Sequence, residues 1–140
     1  MTSMNYDDLE STDTQSLIAE EAKTHNSRLQ VELGKRYYRA EGVVFDANKT
    51  IDFYEKAANQ GNDEAQVFLG NLNREMKDYE KAFDLFRKAA SKNNPKAQYI
   101  LGEMYERGEG VNQNFTEAHI MYEKAAENGN ENAQEKLKRI

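Results

Sequence analysis

The sequence is poor in several residue types, and each scarcity narrows what the protein can do. It has 140 residues with no cysteine and one proline. Without cysteine there is no disulfide framework, no thiolate ligand for a metal and no thiol nucleophile. No apolar run approaches the roughly 20 residues of a transmembrane helix, and the polar, acidic N-terminus does not resemble a secretion signal. These absences predict a soluble, cytoplasmic protein that contacts no membrane.

The net charge of −6 is concentrated at the N-terminus. Residues 1–26 hold six of the 25 acidic residues and only one of the 19 basic residues, so the rest of the chain is almost neutral. A nearly neutral surface argues against nucleic-acid binding, because phosphate binding depends on clustered Lys and Arg. The polar, acidic composition also predicts that residues 1–12 are disordered.

Three short motifs recur along the chain at the same intervals. Leu-Gly occurs at 33–34, 69–70 and 101–102, Lys-Ala-Ala at 56–58, 88–90 and 124–126, and Ala-Gln at 65–66, 97–98 and 133–134. The intervals are always 36 or 32 residues, as expected for a 36-residue unit whose middle copy has lost four residues. Such internal periodicity is typical of helical repeat proteins.

Each unit has the pattern of two amphipathic helices. One apolar stripe at helical spacing consists of Ala65, Leu69, Leu72 and Met76. Asn and Asp recur at the expected helix starts, where their side chains can accept hydrogen bonds from first-turn amides. The expected N-caps are Asn26, Asn62, Asn94 and Asn130 for the first helices, and Asp46, Asp78 and Asn114 for the second helices.

Glycine recurs inside the first helix of each unit, at Gly34, Gly70 and Gly102. Glycine costs a helix interior about 1 kcal/mol relative to alanine. Its recurrence therefore predicts that another helix contacts the backbone at these positions and leaves no room for a side chain.

With these motifs the units resemble Sel-one-like repeats (SLR), which are relatives of the tetratricopeptide repeat. The third copy matches at Leu101, Gly102, Tyr105, Gly108, Gly110, Val111, Ala118, Tyr122, Lys124, Ala125, Ala126, Gly129, Asn130 and Ala133. The second copy departs most, because Asn73 replaces a tyrosine and the Gly-x-Gly-Val loop is absent. The resemblance implies an all-α fold, a right-handed alpha-alpha superhelix (solenoid) of antiparallel helix pairs.

The repeat register divides the whole chain into three repeats with a half-repeat at each end. The predicted segments are a disordered acidic N-terminus (1–12), a degenerate capping helix (13–26), repeat 1 (27–62), repeat 2 with a short loop (63–94), repeat 3 (95–130) and a C-terminal capping helix (131–140). Atypical terminal repeats are expected in such arrays, because they close the hydrophobic core at each end.

The resemblance also implies a concave face lined by the first helix of each pair. By analogy with tetratricopeptide repeats, its protein-binding residues are Arg28, Val31, Lys35, Tyr38, Arg39, Glu64, Val67, Asn71, Arg74, Lys96, Tyr99, Glu103 and Arg107. Tyr and Arg are the usual anchors of interfaces, and the cations of the first copy suit an acidic or carboxylate-bearing segment. The alternative is a solvated face whose residues simply vary.

These observations predict a non-catalytic module, an adaptor or regulator that binds a protein or peptide in the concave groove. The first alternative is a small inhibitor or immunity-type protein that neutralises one toxin or enzyme. The second is a hydrolase on the same fold, which would need a Ser, Lys or Glu constellation that the sequence does not show. His25 and His119 belong to no spaced ligand set, so we predict no catalytic residue, no cofactor and no metal.

Overall fold

The computed structural model describes residues 4–139, and this part of the chain is helical throughout, without a strand. A short 3-10 helix, Tyr6–Ser11, comes first. The α-helices that follow are α1 (Thr14–Thr24), α2 (Ser27–Arg39), α3 (Ala47–Asn59), α4 (Asp63–Glu75), α5 (Tyr79–Ala90), α6 (Pro95–Arg107), α7 (Phe115–Glu127) and α8 (Glu131–Lys138). The prediction of an all-α fold is confirmed.

The chain divides into two compact units, and the division falls inside α4. Unit 1 ends at Ala65 and unit 2 begins at Gln66. In unit 1, α2 packs against α1, α3 and the 3-10 helix. In unit 2, α6 packs against α5 and α7, and α7 packs against α8.

Each unit has its own apolar core. Unit 1 buries a leucine cluster, with Leu9 from the 3-10 helix, Leu17 from α1, and Leu29 and Leu33 from α2. The core of unit 2 is built from α4, α5 and α6, and its buried members are Val67, Ala82, Phe86, Ala89, Ala97, Leu101 and Met104. Burying apolar surface of this kind is the main stabilising contribution to each unit.

The three helical glycines each lie against an aromatic ring of the following helix. A Cβ atom built at these positions would lie only 2.5–2.8 Å from the nearest ring carbon. The pairs are Gly34 with Tyr54, Gly70 with Phe86, and Gly102 with Tyr122. The predicted close approach of two helices at these glycines is therefore confirmed.

Most of the predicted N-caps make the expected hydrogen bond. The Oδ1 atom accepts a first-turn amide at Asn26, Asn62, Asn94, Asn130, Asp46 and Asn114. Asp78 is the exception: it precedes α5 but its side chain makes no cap hydrogen bond. Its carboxylate lies 3.8 Å from the Lys81 ammonium group instead.

The apolar stripe predicted along α4 is one turn too long. The helix ends at Glu75, and Met76 is 70% exposed. Lys77, the next residue, has a left-handed backbone with φ of 64°, so the chain turns away before Met76 can join the core. The four residues missing from the middle repeat account for this tight connection to α5.

The N-terminal segment, residues 4–12, differs from the predicted disorder. Residues 1–3 lie outside the described residues, but Tyr6–Ser11 form the 3-10 helix and Leu9 is only 8% exposed. Met4 and Tyr6 pack at the edge of the same leucine cluster. The average composition of this segment is polar and acidic, and such an average does not reveal that Met4, Tyr6 and Leu9 can pack on a neighbouring helix.

Candidate protein-binding face

Four of the predicted face residues in unit 1 surround one cavity. Arg28, Val31 and Lys35 lie on a single side of α2, because they are three and four residues apart, and Glu64 comes from the first turn of α4. They line a cavity of about 220 Å³ together with Asn62, Glu32 and residues 6–10 of the N-terminal segment. We call this space the first-repeat cavity. It combines a buried valine with charges of both signs.

The cations of the first-repeat cavity already have partners within unit 1. The Lys35 Nζ atom lies 2.8 Å from Oε1 of Glu64. The Arg28 guanidinium donates to the carbonyl oxygen of Tyr6 at 2.8 Å and lies 3.5 Å from the Asp7 carboxylate. The Arg28–Asp7 pair is exposed on both sides, so it contributes little to stability.

Tyr38 and Arg39 lie at the end of α2 and do not line the first-repeat cavity. The Tyr38 side chain is 62% exposed and contacts the ring of Phe45 edge-on, with 6.3 Å between ring centroids. Arg39 lies 3.9 Å from the Glu41 carboxylate. These two side chains are accessible, as a binding residue must be, but they form a surface separate from the cavity.

In unit 2, several predicted face residues belong to an ion-pair network. The Arg74 guanidinium contacts Glu109 at 3.0 Å and Glu103 at 3.3 Å, and all three side chains are at most one-fifth exposed. Arg107 lies 3.8 Å from the other oxygen of Glu103. The network joins α4 to α6 and to the loop after it, so these charges serve the packing of unit 2.

The remaining predicted residues of unit 2 are divided between the core and the surface. Val67 is buried in the core cluster, and Tyr99 packs on the ring of Tyr122 with centroids 5.5 Å apart. Asn71 and Lys96 are exposed. Asn71 and Lys96 therefore keep the exposure that the prediction requires, whereas Val67, like Val31 of the first repeat, is buried.

Arg36 is a buried cation that the sequence prediction of the face did not include. The residue is 5% exposed, and its guanidinium donates to the carbonyl oxygens of Leu9 at 2.9 Å and Glu10 at 3.2 Å. It also donates to Thr14 Oγ1 at 2.9 Å and to Glu32 at 3.1 Å. A buried charge needs such partners to offset its desolvation.

A signal for Arg36 was present in the repeat alignment. The position two residues after the Leu-Gly glycine is Leu72 in the second repeat and Met104 in the third. Met104 is fully buried. An arginine at an otherwise apolar core position indicates that something polar, here the N-terminal segment, packs against the first repeat.

Burial raises the pKa of Tyr54 to about 12 and also raises the pKa of Tyr122, so both phenols stay neutral and act as packing groups. His25 ends α1 in a left-handed conformation, and His119 lies 3.3 Å from Glu123 on its own helix.

Among residues 4–139, no group of three or more His, Asp or Glu side chains is placed to hold a metal ion. None of the helices in the same range is long and apolar enough to cross a bilayer.

The recurring caps and glycine contacts define a helical-repeat protein, and comparison with known proteins identifies the family. The family model for the Sel1 repeat matches residues 27–62, 63–94 and 95–130. The chain belongs to the Sel1 repeat family. Such repeats generally mediate protein–protein interactions and are typically non-catalytic. No curated protein sequence matches this chain significantly.

Several solved structures share the fold. A Sel1 repeat protein from Oxalobacter formigenes is 33% identical, with 90% of this chain and 97% of that chain covered and a TM-score of 0.85. The antigen c5321, a protective antigen of uropathogenic Escherichia coli strains with an SLR fold, is 31% identical with a TM-score of 0.79; the match covers 89% of this chain but 27% of c5321.

A more distant structure shows the fold alone. Helicobacter pylori cysteine rich protein B (hcpB) is 24% identical, with 88% of this chain and 96% of that chain covered and a TM-score of 0.65. Together with the two closer likenesses, it confirms the prediction of an all-α helical-repeat fold of the SLR class.

Proposed function

We propose that this protein is a non-catalytic adaptor or regulator that binds a protein or peptide at the first-repeat cavity. The observation that carries the proposal is the convergence of Arg28, Val31, Lys35 and Glu64 around one cavity. All four positions follow from the repeat register alone. Arginine is among the residue types that are enriched where interfaces gain most of their binding energy.

The polar groups of the cavity suit a peptide better than a small molecule. Arg28 and Lys35 are held by exposed or half-exposed carboxylates, and exchanging one carboxylate partner for another costs little in such settings. Arg28 also binds a backbone carbonyl, an acceptor that every peptide carries. The site therefore supports recognition of an acidic segment of another protein.

The proposal is tested by affinity capture from a lysate of the source cells, followed by titration of the purified captured protein. We compare the wild type with the cavity variant Arg28→Glu, Lys35→Glu. The control Lys23→Glu, Lys92→Glu makes the same charge change at two exposed positions outside the cavity. We expect the cavity variant to lose at least tenfold in affinity while the control stays within twofold, with equal helicity in all three proteins.

Equal binding by the cavity variant and the control would contradict the proposal. A second variant, Tyr38→Ala with Arg39→Glu, then shows whether the interaction lies at the end of α2 instead. A single captured partner that is an enzyme or toxin, inhibited on binding, would favour the inhibitor function over the adaptor function.

A further inference from the structure

We propose that the N-terminal segment, residues 4–12, which forms one wall of the first-repeat cavity, is a displaceable internal ligand, and that the external partner is an acidic peptide with one anchoring leucine that binds in its place. The inference rests on the proposed function, because it names the ligand chemistry and the regulation of the same site.

The segment is held largely through its backbone. The carbonyl oxygen of Tyr6 accepts from Arg28 at 2.8 Å, and those of Leu9 and Glu10 accept from Arg36 at 2.9 and 3.2 Å. Carbonyl groups are present in any peptide, so these two arginines do not require the sequence of the N-terminal segment. They require a short turn that directs three carbonyl groups toward α2.

One side chain anchors the segment. Leu9 is 8% exposed and joins Leu17, Leu29 and Leu33 in the core of unit 1. Met4 and Tyr6 are only partly buried at the edge of this cluster. A competing peptide therefore needs one leucine, or a side chain of similar size, to fill the same position.

Charge complementarity explains why the ligand is acidic. Asp7, Asp8 and Glu10 lie beside the cavity that Arg28 and Lys35 line. All three acidic side chains are exposed, so they favour association without the cost of burying a carboxylate. A basic peptide would place like charges beside both cations of the cavity, which disfavours binding.

The segment is the weakest element of unit 1. Its 3-10 helix has six residues, and Asp8 in its middle has non-helical backbone angles. The backbone hydrogen bonds that fold it include Asp8 N to Asn5 O and Thr12 N to Leu9 O. The hydrogen-bond geometry of a 3-10 helix is poorer than that of an α-helix, and elements with few buried contacts open first. By contrast, α1 is a full helix with Leu17 completely buried.

The test measures whether a free copy of the segment binds when the internal copy is released. A fluorescent peptide of residues 4–12 is titrated against the full chain carrying Leu9→Asn, against wild type and against the control Gln15→Asn, which places the same residue at an exposed position of α1 outside the cavity. In wild type the tethered segment competes with the free peptide at high effective concentration. The apparent affinity for the free peptide is therefore low, because only a small fraction of the molecules is open.

We expect the Leu9→Asn chain to bind the peptide at least tenfold more tightly than wild type does, and the Gln15→Asn chain to bind like wild type. Adding Arg28→Ala to the Leu9→Asn chain should weaken peptide binding at least fivefold. A peptide carrying Leu9→Asn should bind the released chain about 10- to 100-fold more weakly, the range for losing one buried leucine. Hydrogen exchange at residues 5–12 should accelerate in the released chain while α1 stays protected.

Equal peptide binding by the Leu9→Asn chain and wild type would overturn the inference, since the segment would then be a fixed cap. If Leu9→Asn lowers the helicity of the chain, Leu9→Ala, which removes the same anchor without placing a polar group in the core, is tested in the same way. Self-association of wild type that the free peptide reverses would also overturn it, by showing that a second copy supplies the segment.

The inference and the proposed function fail in different ways. If the released chain binds the peptide but the cavity variant retains the captured partner, the proposed function is wrong and the internal contact stands. If the captured partner needs the cavity but the released chain captures no more of it than wild type, the internal ligand is refuted and the proposed function stands.

Discussion

Substituting Gly70 by alanine tests whether these helix pairs need a glycine where an aromatic ring lies against the helix backbone. A Cβ atom at Gly70 would lie 2.8 Å from Cζ of Phe86, 2.9 Å from Cε1 and 3.0 Å from Cε2. Phe86 is completely buried, so its ring has no solvent-exposed space into which to move. Gly70→Ala therefore forces α4 and α5 apart or tilts the ring.

Two opposing contributions determine how much Gly70→Ala changes the free energy of unfolding. Alanine is favoured over glycine inside a helix by about 1 kcal/mol, while overpacking a filled core costs about 1–3 kcal/mol. For Gly70→Ala alone, the two contributions sum to a loss of about 0–2 kcal/mol in the free energy of unfolding. This loss is too close to zero to show whether the methyl group overpacks against Phe86. Phe86→Leu separates the two contributions, because leucine lacks the three ring atoms that the new methyl group would contact.

In the Phe86→Leu background, Gly70→Ala should stabilise the protein by about 1 kcal/mol. The coupling free energy between the two substitutions should then be about 1–3 kcal/mol, equal to the overpacking cost. It is measured by urea unfolding of wild type, both single variants and the double variant, followed by circular dichroism. Equal m-values across the four proteins show that the same transition is compared.

A coupling free energy below about 0.5 kcal/mol would refute the reasoning, because independent sites are additive to that level. Asn71→Ala is the matched control, since Asn71 is the next residue of α4 and is exposed. Its coupling to Phe86→Leu should stay below about 0.5 kcal/mol.

Two further predictions concern the helix caps and the response to high pH. Asn114→Ala should lower the free energy of unfolding by about 1 kcal/mol, because the Asn114 side chain makes a cap hydrogen bond. Asp78→Ala should change it by less than about 0.5 kcal/mol, because the Asp78 side chain makes none. Urea unfolding measures both changes. The pKa of Tyr54 is raised to about 12 from 10.0, so the stability that depends on its neutral form is complete below pH 10 and is lost between pH 10 and 12. Tyr54→Phe should lose less stability than wild type across that interval, and an equal loss would show that Tyr54 does not contribute.

The parts of the fold that follow from local chemistry were predictable from the sequence. The Asn caps depend on a side chain and an amide two or three residues away, so their spacing alone identifies them. The glycines were predictable for a related reason, because a residue that weakens a helix recurs only where packing requires it. Asp78 makes no cap hydrogen bond, and its backbone (φ −86°, ψ 72°) differs from that of the capping residues Asp46 (φ −151°, ψ 101°) and Asn114 (φ −154°, ψ 102°).

The candidate site was only partly predictable. The register selected side chains that share one side of α2, but it could not show that Arg74 and Glu103 are paired with each other or that Val67 is buried. Exposure depends on which neighbours a side chain meets, and those neighbours are distant in sequence. The same limitation hid the contact between Arg36 and the N-terminal segment.

The sequence by itself determined the repeat, its helix pairs, their caps and the positions at which two helices touch, because these follow from spacings within one unit. Only the tertiary structure decided which charges are paired and where residues 4–12 pack. A buried arginine and one leucine bring residues 4–12 onto the first repeat, and neither contact is visible in composition. Long-range contacts depend on three-dimensional proximity, which a one-dimensional pattern does not encode.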